Sequence, residues 1–302
     1  MHLTGLHLLL TYRCTYECDH CFVHSSPRAS STMPLALVID AIHQAKEVGT
    51  VNEIFFEGGE PFLVYPVLVA GAREARRLGM NVGLVSNGYF ATTVEDAVEW
   101  LKPFVELGDV SMSFSDDGFH GREDDSETPA DRARAAAEQL GIEAGTICID
   151  PPGVEEDPHE PGTPIIGGGV RFRGRAAVNL ADDSLPRKPY SSFCSCGDED
   201  WINLGRLHLD PYGRLYPCQG ISIGNLQQKS LSQILEEYDP ENDPIIGPLL
   251  RGGPAELVRA HGLTLRGEFL DACHLCYQAR SALRSLFPDT LGPGEVYGEM
   301  DE

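Results

Sequence analysis

Nine cysteines occur in this 302-residue chain, and three of them form a tight group near its start. Cys14, Cys18 and Cys21 are separated by three residues and then by two. A short loop with this spacing can wrap three thiolates around one metal centre and leave one coordination position open for a substrate. The spacing favours an iron–sulfur cluster with one open iron. A zinc site with a distant fourth ligand, or a noncatalytic cluster, is the alternative.

A second group of cysteines lies after residue 190, at positions 194, 196, 218, 273 and 276. Cys273 and Cys276 form a CxxC unit that we place at the start of a helix, where exposed N–H groups favour a bound thiolate. Four cysteines can close around an iron–sulfur cubane or a zinc ion. Cys194 and Cys196 are two residues apart, so in an extended chain their side chains point the same way and spacing cannot choose between them.

The elements that must position these cysteines alternate between strand and helix. The hydrophobic pattern predicts strands at residues 6–12, 53–57, 81–86, 109–115, 144–150 and 170–178. Between the first five strands it predicts helices at residues 34–48, 64–78, 93–104 and 129–140. This alternation indicates a parallel sheet with right-handed crossovers. Six strands cannot close an eight-unit barrel, so we expect an α/β fold with an open, partial (β/α)6 TIM-like barrel.

The strand–helix alternation is interrupted after residue 150, and the chain changes character from about residue 190 onward. Residues 151–169 are rich in Pro, Gly, Asp and Glu, which predicts a loop or lid. Residues 206–218 suggest a hairpin with Asp210-Pro211-Tyr212-Gly213 as its turn, and helices follow at 231–238, 255–261 and 277–286. We therefore predict two domains, a barrel at residues 1–185 and a small hairpin-plus-helices domain at residues 186–302.

Polar residues recur where four successive predicted strands end. The sequences are Glu57-Gly58-Gly59-Glu60-Pro61, Ser86-Asn87-Gly88 and Ser113-Phe114-Ser115-Asp116, together with the cysteine loop after the first strand. Two adjacent glycines let the backbone approach a ligand closely. Each segment alone could be ordinary turn chemistry. Because parallel strands place their carboxyl ends on one face, the four segments together predict one pocket.

These residues carry a family resemblance. Cys14-Thr15-Tyr16-Glu17-Cys18-Asp19-His20-Cys21 resembles the signature loop of the radical S-adenosylmethionine (SAM) superfamily, and Gly58-Gly59-Glu60-Pro61 resembles its second motif. The resemblance covers about residues 5–180. It implies a [4Fe–4S] cluster on Cys14, Cys18 and Cys21 whose open iron chelates SAM. It also implies reductive cleavage of SAM to methionine and a 5′-deoxyadenosyl radical that abstracts hydrogen from a substrate.

The same resemblance implies contacts to SAM. Gly58, Gly59 and Glu60 would contact its methionyl amino group. The remaining implied contacts are Ser86 and Asn87 near the methionine or ribose; Ser113, with Ser115 or Asp116, near the ribose and carboxylate; His20 against adenine; and Arg173 or Arg175 facing the carboxylate. For the two arginines, surface pairing within an acidic chain is the equal alternative.

The second cysteine group resembles the Twitch domain, the shortened form of the SPASM domain that follows many radical SAM cores. SPASM domains carry two auxiliary clusters and need further cysteines after the CxxC pair, and none follows Cys276. The resemblance therefore implies one auxiliary [4Fe–4S] cluster, with Cys196, Cys218, Cys273 and Cys276 as ligands and Cys194 as the competitor for the first position. A zinc ion or an empty site is the alternative.

Cys148, His24 and His120 lie outside these motifs. Cys148 could supply a hydrogen atom to a substrate radical if its thiol pointed into the barrel, but we expect a small buried core residue. His24 and His120 flank the mouth loops, and we expect solvated loop residues rather than catalysts.

The resemblance implies an enzyme that modifies a peptide or protein or oxidises a small molecule, with an electron donor such as flavodoxin or ferredoxin. An iron–sulfur electron carrier or scaffold that does not cleave SAM is the alternative. The formal net charge of −23 disfavours a nucleic-acid partner. No apolar run approaches the roughly 20 residues that span a bilayer, and the first residues lack the features of an export signal, so we expect a cytoplasmic protein.

Overall fold

The computed structural model describes residues 2–123 and 126–299. The strands are, in chain order, β1 (Gly5–Leu9), β2 (Glu53–Glu57), β3 (Asn81–Ser86), β4 (Val110–Ser115), β5 (Glu143–Ile147), β6 (Gly153–Glu156), β7 (Pro164–Gly167), β8 (Arg206–Leu209), β9 (Arg214–Tyr216) and β10 (Gly224–Asn225). The helices are α1 (Leu35–Val48), α2 (Tyr65–Arg77), α3 (Val94–Val105), α4 (Pro129–Gln139), α5 (Ala176–Asn179), α6 (Leu231–Glu237), α7 (Ile246–Ala260) and α8 (Ala272–Leu283).

One large sheet organises the molecule, with the strand order β10-β9-β8-β1-β2-β3-β4-β5 within the described residues. The strands from β1 to β5 pair in parallel, each with the next in sequence. β8 joins the other edge of β1 in parallel, and β9 and β10 follow it antiparallel. The predicted α/β fold with a parallel sheet is confirmed, and the carboxyl ends of β1 to β5 lie on one face.

The predicted sixth strand at residues 170–178 is wrong. This segment forms turns and then the short helix α5, because it packs across the first cysteine loop instead of along β5. Gly174 takes a φ of +59°, and a Cβ there would lie 2.4 Å from Cα of Phe22. The N–H of Arg175 donates to the carbonyl of Cys21 at 2.8 Å. The preceding predicted loop contains the small antiparallel hairpin β6–β7.

The sheet continues past residue 185. Leu207 and Leu209 of β8 belong to the same buried cluster as Leu8 of β1, and α6 packs on α1. A second buried cluster forms around α7 and α8. The hairpin that we assigned to a separate domain therefore packs with the barrel, while the division at residue 185 stays a prediction.

Local sequence explains several helix ends. Thr128 and Asp131 form a capping box at the start of α4, with Pro129 at the first helical position. Asp271 caps α8, whose first turn carries Cys273. Gly49 ends α1 in the left-handed conformation that favours glycine. Within the described residues, the helices lack the combined length and hydrophobicity needed to cross a membrane.

Candidate functional site

A cavity of about 370 Å³ opens at the carboxyl ends of the parallel strands. Its lining includes ten of the cluster ligands and SAM contacts that the resemblance implies: Cys14, Cys18, His20, Cys21, Gly58, Gly59, Ser86, Asn87, Ser115 and Arg173. These residues come from loops that are far apart in the chain. The parallel sheet brings them together, as the pattern of strand ends predicts.

The first cysteine loop is held by backbone and side-chain hydrogen bonds. The N–H of Cys14 donates to the carbonyl of Ser26 at 3.0 Å. The buried Arg175 donates to the carbonyls of Cys18 and Ser25 at 2.6 and 2.7 Å. The sulfurs also accept hydrogen bonds, from the N–H of Tyr16 to Cys14 and from the N–H of Ser25 to Cys21. Arg175 thus braces the loop instead of lining the cavity.

The loop is suited to thiolates only if a cation compensates them. Burial raises the pKa of the Cys14 thiol to about 11 and that of Cys18 to about 12, and the neighbouring cysteines add to both increases. These two thiols therefore stay protonated near neutral pH unless a cation compensates the charge of their thiolates. A bound metal centre deprotonates its thiol ligands outright, so this donor set fits an iron–sulfur cluster.

Two buried polar atoms without hydrogen-bond partners also indicate that a polar group binds beside the cysteines. Within the described part of the chain, Nδ1 of His20 and Oγ of Ser25 are buried without a hydrogen-bond partner. Both residues line the cavity beside the cysteines. Buried polar groups are rarely left unpaired, so these two atoms indicate a polar ligand in this space.

The two glycines bring β2's end against the chain that leads into the cysteine loop. The N–H of Gly59 donates to the carbonyl of Thr11 at 2.6 Å, and Gly58 has a φ of +141°. A Cβ on Gly59 would lie 2.1 Å from the carbonyl oxygen of Arg13. The motif therefore needs glycine for close backbone approach, as well as for any contact with a ligand.

Glu60 occupies a different place from its glycine neighbours. Its buried carboxylate accepts hydrogen bonds from Oγ of Ser86 at 2.9 Å and from the N–H groups of Asn87 and Phe62 at 2.8 and 3.0 Å. Burial raises the pKa of the Glu60 carboxyl to about 7. The side-chain amide of Asn87 in turn donates to Oγ1 of Thr15, at 3.1 Å. Glu60 thus supports the turn after β3.

The remaining predicted contacts divide into two sets. Ser115 lines the cavity, whereas Ser113 lies two residues earlier on the same face of β4, outside the lining. Asp116 is buried and accepts hydrogen bonds from Arg122 and Thr128. Arg173 lines the first cavity and also a second, smaller one.

The second cavity collects four cysteines of the later group: Cys196, Cys218, Cys273 and Cys276. Burial raises the pKa of Cys276 to about 11 and raises that of Cys273 strongly. Cys194 is exposed, and its thiol donates to the carbonyl of Ser191 at 3.1 Å. The placement favours Cys196 over Cys194 as a ligand.

The second cavity also contains unpaired donors. Nε1 of Trp201 and Nε of Arg280 are buried without a partner among the described residues, and both side chains line the cavity. Arg173 donates to Sγ of Cys218 at 3.4 Å. Four sulfurs surrounded by N–H donors and two guanidinium groups fit an anionic metal–thiolate centre, either an iron–sulfur cluster or a zinc ion with four thiolates.

Three isolated residues depart from expectation. Cys148 is exposed just beyond β5, because β5 ends earlier than the pattern predicts. His24 and His120 are partly buried instead of solvated. Nε2 of His24 lies 3.1 Å from the hydroxyl of Tyr277, and Nδ1 of His120 lies 2.7 Å from Asp117.

The group formed by His7, Glu57 and His208 was not predicted from the sequence, and its ligand atoms all lie within 4.8 Å of one another. A polar His7 between the buried Leu6 and Leu8 is the signal that could have identified it. His208 could not be placed with it, because the sequence does not reveal that β8 pairs with β1.

Comparisons with known proteins agree with the fold and the first cysteine loop. The family model described as the radical SAM superfamily matches residues 8–146. The candidate peptide biosynthesis protein YydG of Bacillus subtilis (strain 168) is 23% identical over 214 residues, which cover 69% of this chain and 67% of YydG. The tungsten-containing aldehyde ferredoxin oxidoreductase cofactor-modifying protein of Pyrococcus furiosus (strain ATCC 43587 / DSM 3638 / JCM 8422 / Vc1) is 31% identical over 113 residues, which cover 37% of this chain and 30% of that protein.

A solved structure shares the fold. Native anSMEcpe with bound AdoMet and Kp18Cys peptide matches 95% of this chain and 97% of its own, with 14% identity and a TM-score of 0.50. At this identity the likeness concerns the fold alone. The family model, whose match includes the first cysteine loop, carries the family conclusion: residues 8–146 of this chain are a radical SAM domain.

Proposed function

We propose that this chain is a radical SAM enzyme in which Cys14, Cys18 and Cys21 hold a [4Fe–4S] cluster and SAM binds in the adjoining cavity. The observation that carries the proposal is the convergence of these three cysteines with Gly58 and Gly59 on one cavity. When bound, such a cluster supplies the electron that cleaves SAM and yields a 5′-deoxyadenosyl radical. A simple electron carrier has no need of a cavity of this size beside its cysteines.

The residues around the cavity have distinct parts in this proposal. The backbone of Gly58 and Gly59 would approach the methionyl end of SAM, and Asn87 and Ser115 would offer polar contacts nearby. His20, whose Nδ1 is buried without a partner among the described residues, would form a hydrogen bond with the nucleoside. Apolar side chains form much of the remaining wall, including Leu9, Val85, Ile147, Ile149 and Val170. Such a wall excludes water and so protects a reactive intermediate from side reactions.

We further propose one auxiliary [4Fe–4S] cluster on Cys196, Cys218, Cys273 and Cys276. The shared cavity and its unpaired N–H donors support this assignment. Arg173 borders both cavities, so its side chain would lie beside both centres. An auxiliary cluster of this kind can accept the electron left on a substrate after hydrogen abstraction, and a flavodoxin or ferredoxin would reduce the first cluster.

A peptide is the substrate class that we favour. The similarity to YydG, whose name refers to peptide biosynthesis, extends over more than two thirds of this chain. The cavity of about 370 Å³ lies within the range of small-molecule sites, so its volume does not distinguish a peptide side chain from a small molecule. Oxidation of a small molecule is the competing reaction, and substrate trials with both classes separate them.

Binding of SAM at the first cluster can be tested by spectroscopy. The clusters are reconstituted anaerobically and reduced with dithionite, and electron paramagnetic resonance (EPR) spectra are recorded with and without SAM. We expect SAM to change the signal of the wild type and that of a Cys273→Ser variant, since the latter keeps the first cluster. The proposal would be contradicted if the wild type carried a loaded first cluster and its EPR signal did not change when SAM was added.

A further inference from the structure

Three side chains with metal-binding atoms converge next to the cavity, apart from both cysteine groups. They are His7 on β1, Glu57 at the end of β2 and His208 on β8, and their ligand atoms all lie within 4.8 Å of one another. Glu57 forms part of the cavity wall. The proposed SAM chemistry uses none of the three.

Strand register explains why these residues meet. His7 pairs with His208 across the β1–β8 ladder and with Phe55 across the β1–β2 ladder. Glu57 lies two residues after Phe55, so its side chain points to the same face of the sheet. Three neighbouring parallel strands thus supply one side chain each, and the arrangement rests on the sheet itself instead of on a loop.

The three side chains are in direct contact and are held in place. Nδ1 of His208 lies 2.6 Å from Oε1 of Glu57, and Nδ1 of His7 lies 3.2 Å from Oε2. The ring of His7 stacks on Phe55, with ring centres 4.6 Å apart. Gly83 leaves space for that aromatic ring, since a Cβ there would lie 2.2 Å from it. Packing therefore fixes an orientation in which both imidazoles face one carboxylate.

We infer that His7, Glu57 and His208 bind one divalent first-row metal ion, of which zinc is the representative, through two imidazole nitrogens and one carboxylate. Imidazole and carboxylate ligands suit such ions, and sites with three protein ligands keep a coordination position for water or substrate. Because Glu57 lines the cavity, an oxygen atom of a molecule bound there can take that position. The inference does not depend on SAM cleavage.

Zinc retention by the full chain tests this inference. The iron–sulfur clusters are reconstituted first, zinc chloride is added, and loosely bound metal is removed with a weak chelator. Zinc and iron are then measured by mass spectrometry in the wild type, Glu57→Gln, His208→Asn and His43→Ala. His43 is the matched control, because it pairs with Glu74 on the outer helices at 2.5 Å.

We expect about one zinc per chain in the wild type and in His43→Ala, and at least a tenfold loss of retained zinc in the other two variants. Iron content and the thermal unfolding midpoint report whether each variant is folded. X-ray absorption of the wild type should show nitrogen and oxygen at about 2.0–2.1 Å, without sulfur at about 2.3 Å.

Three results would overturn the inference. One is a cluster-loaded wild type that retains no zinc. Another is zinc that survives both substitutions in variants with normal iron content. The third is a sulfur shell around the bound zinc, which would place the ion among the cysteines. The first result would leave His7, Glu57 and His208 as a hydrogen-bonded group without a metal.

Discussion

Oγ of Ser86 donates a hydrogen bond of 2.9 Å to Oε1 of Glu60, while the N–H of Asn87 donates to Oε2 of the same carboxylate at 2.8 Å. The glutamate that ends the glycine motif after β2 therefore fixes the turn after β3. Glu60 is fully buried, and its carboxylate lies outside the cavity lining. Glu60 therefore positions Ser86 and Asn87 without itself lining the cavity.

The stability of the chain should depend on the ionisation of Glu60. Burial raises the pKa of this carboxyl from 4.5 to about 7, so the folded chain binds more protons than the unfolded chain between these values. Its favourable contribution is complete below pH 4.5 and is lost as the pH rises through 7. From pH 5.5 to 7.5 we expect the wild type to lose about 2 kcal/mol relative to Glu60→Gln.

Urea unfolding under anaerobic conditions at several pH values measures this difference. Glu47→Gln is the control, because it makes the same change at an exposed position on α1 and should follow the wild-type slope. Parallel pH profiles for the wild type and Glu60→Gln would contradict the assignment.

Gly59 should not tolerate even one added methyl group. A Cβ there would meet the backbone of Arg13 and Tyr12 at 2.1–2.8 Å, and backbone atoms cannot move aside cheaply. We expect Gly59→Ala to destabilise the chain by about 3 kcal/mol and to reduce iron loading of the first site. Gly145→Ala on β5 has open space around the new Cβ and should change the unfolding free energy by less than ~1 kcal/mol. Equal stabilities for the two variants would refute this reading of the motif.

The choice between Cys194 and Cys196 can be decided by iron content. Cys196 shares a cavity with the other three cysteines, whereas Cys194 is exposed and bonded to a backbone carbonyl. We expect Cys196→Ser to lose or disrupt the auxiliary cluster, with about four fewer irons per chain, and Cys194→Ser to keep wild-type iron. The reverse pattern would assign the ligand to Cys194.

Arg173 should raise the reduction potential of the auxiliary cluster that we propose. Its guanidinium donates to Sγ of Cys218 and is largely buried, so removing its charge disfavours the more negative, reduced cluster. We expect Arg173→Gln to lower the midpoint potential by tens of millivolts in a titration followed by EPR. Arg259→Gln on α7 replaces an arginine paired with Glu256 and should leave the potential unchanged. An unshifted potential in Arg173→Gln would argue against this role.

Local pattern was enough to predict the elements that carry the first site. β2 and β3 have the bounds that the sequence predicts, and each ends in the glycine or polar turn that reaches the cavity. The three cysteines were grouped by spacing alone. These features depend on short stretches of sequence and on the rule that parallel strands end on one face, so they need no knowledge of distant contacts.

The features that the sequence did not predict depend on contacts between residues far apart in the chain. Residues 170–178 have strand-like composition, but they cross the cysteine loop where Gly174 meets Phe22. The hairpin after residue 206 extends the main sheet because β8 pairs with β1, some 200 residues earlier in the chain. That same pairing brings His208 to His7 and Glu57. Propensity and periodicity contain no information about such contacts.

Formation of 5′-deoxyadenosine tests the central claim most directly. The reconstituted chain is reduced with dithionite in the absence of oxygen and incubated with SAM, and the nucleoside is quantified beside a Cys18→Ala control. We expect the wild type to form 5′-deoxyadenosine and the variant, which lacks one cluster ligand, to form none. A wild type with a loaded first cluster that yields no 5′-deoxyadenosine and shows no SAM-dependent change in its EPR signal would contradict the assignment as a radical SAM enzyme.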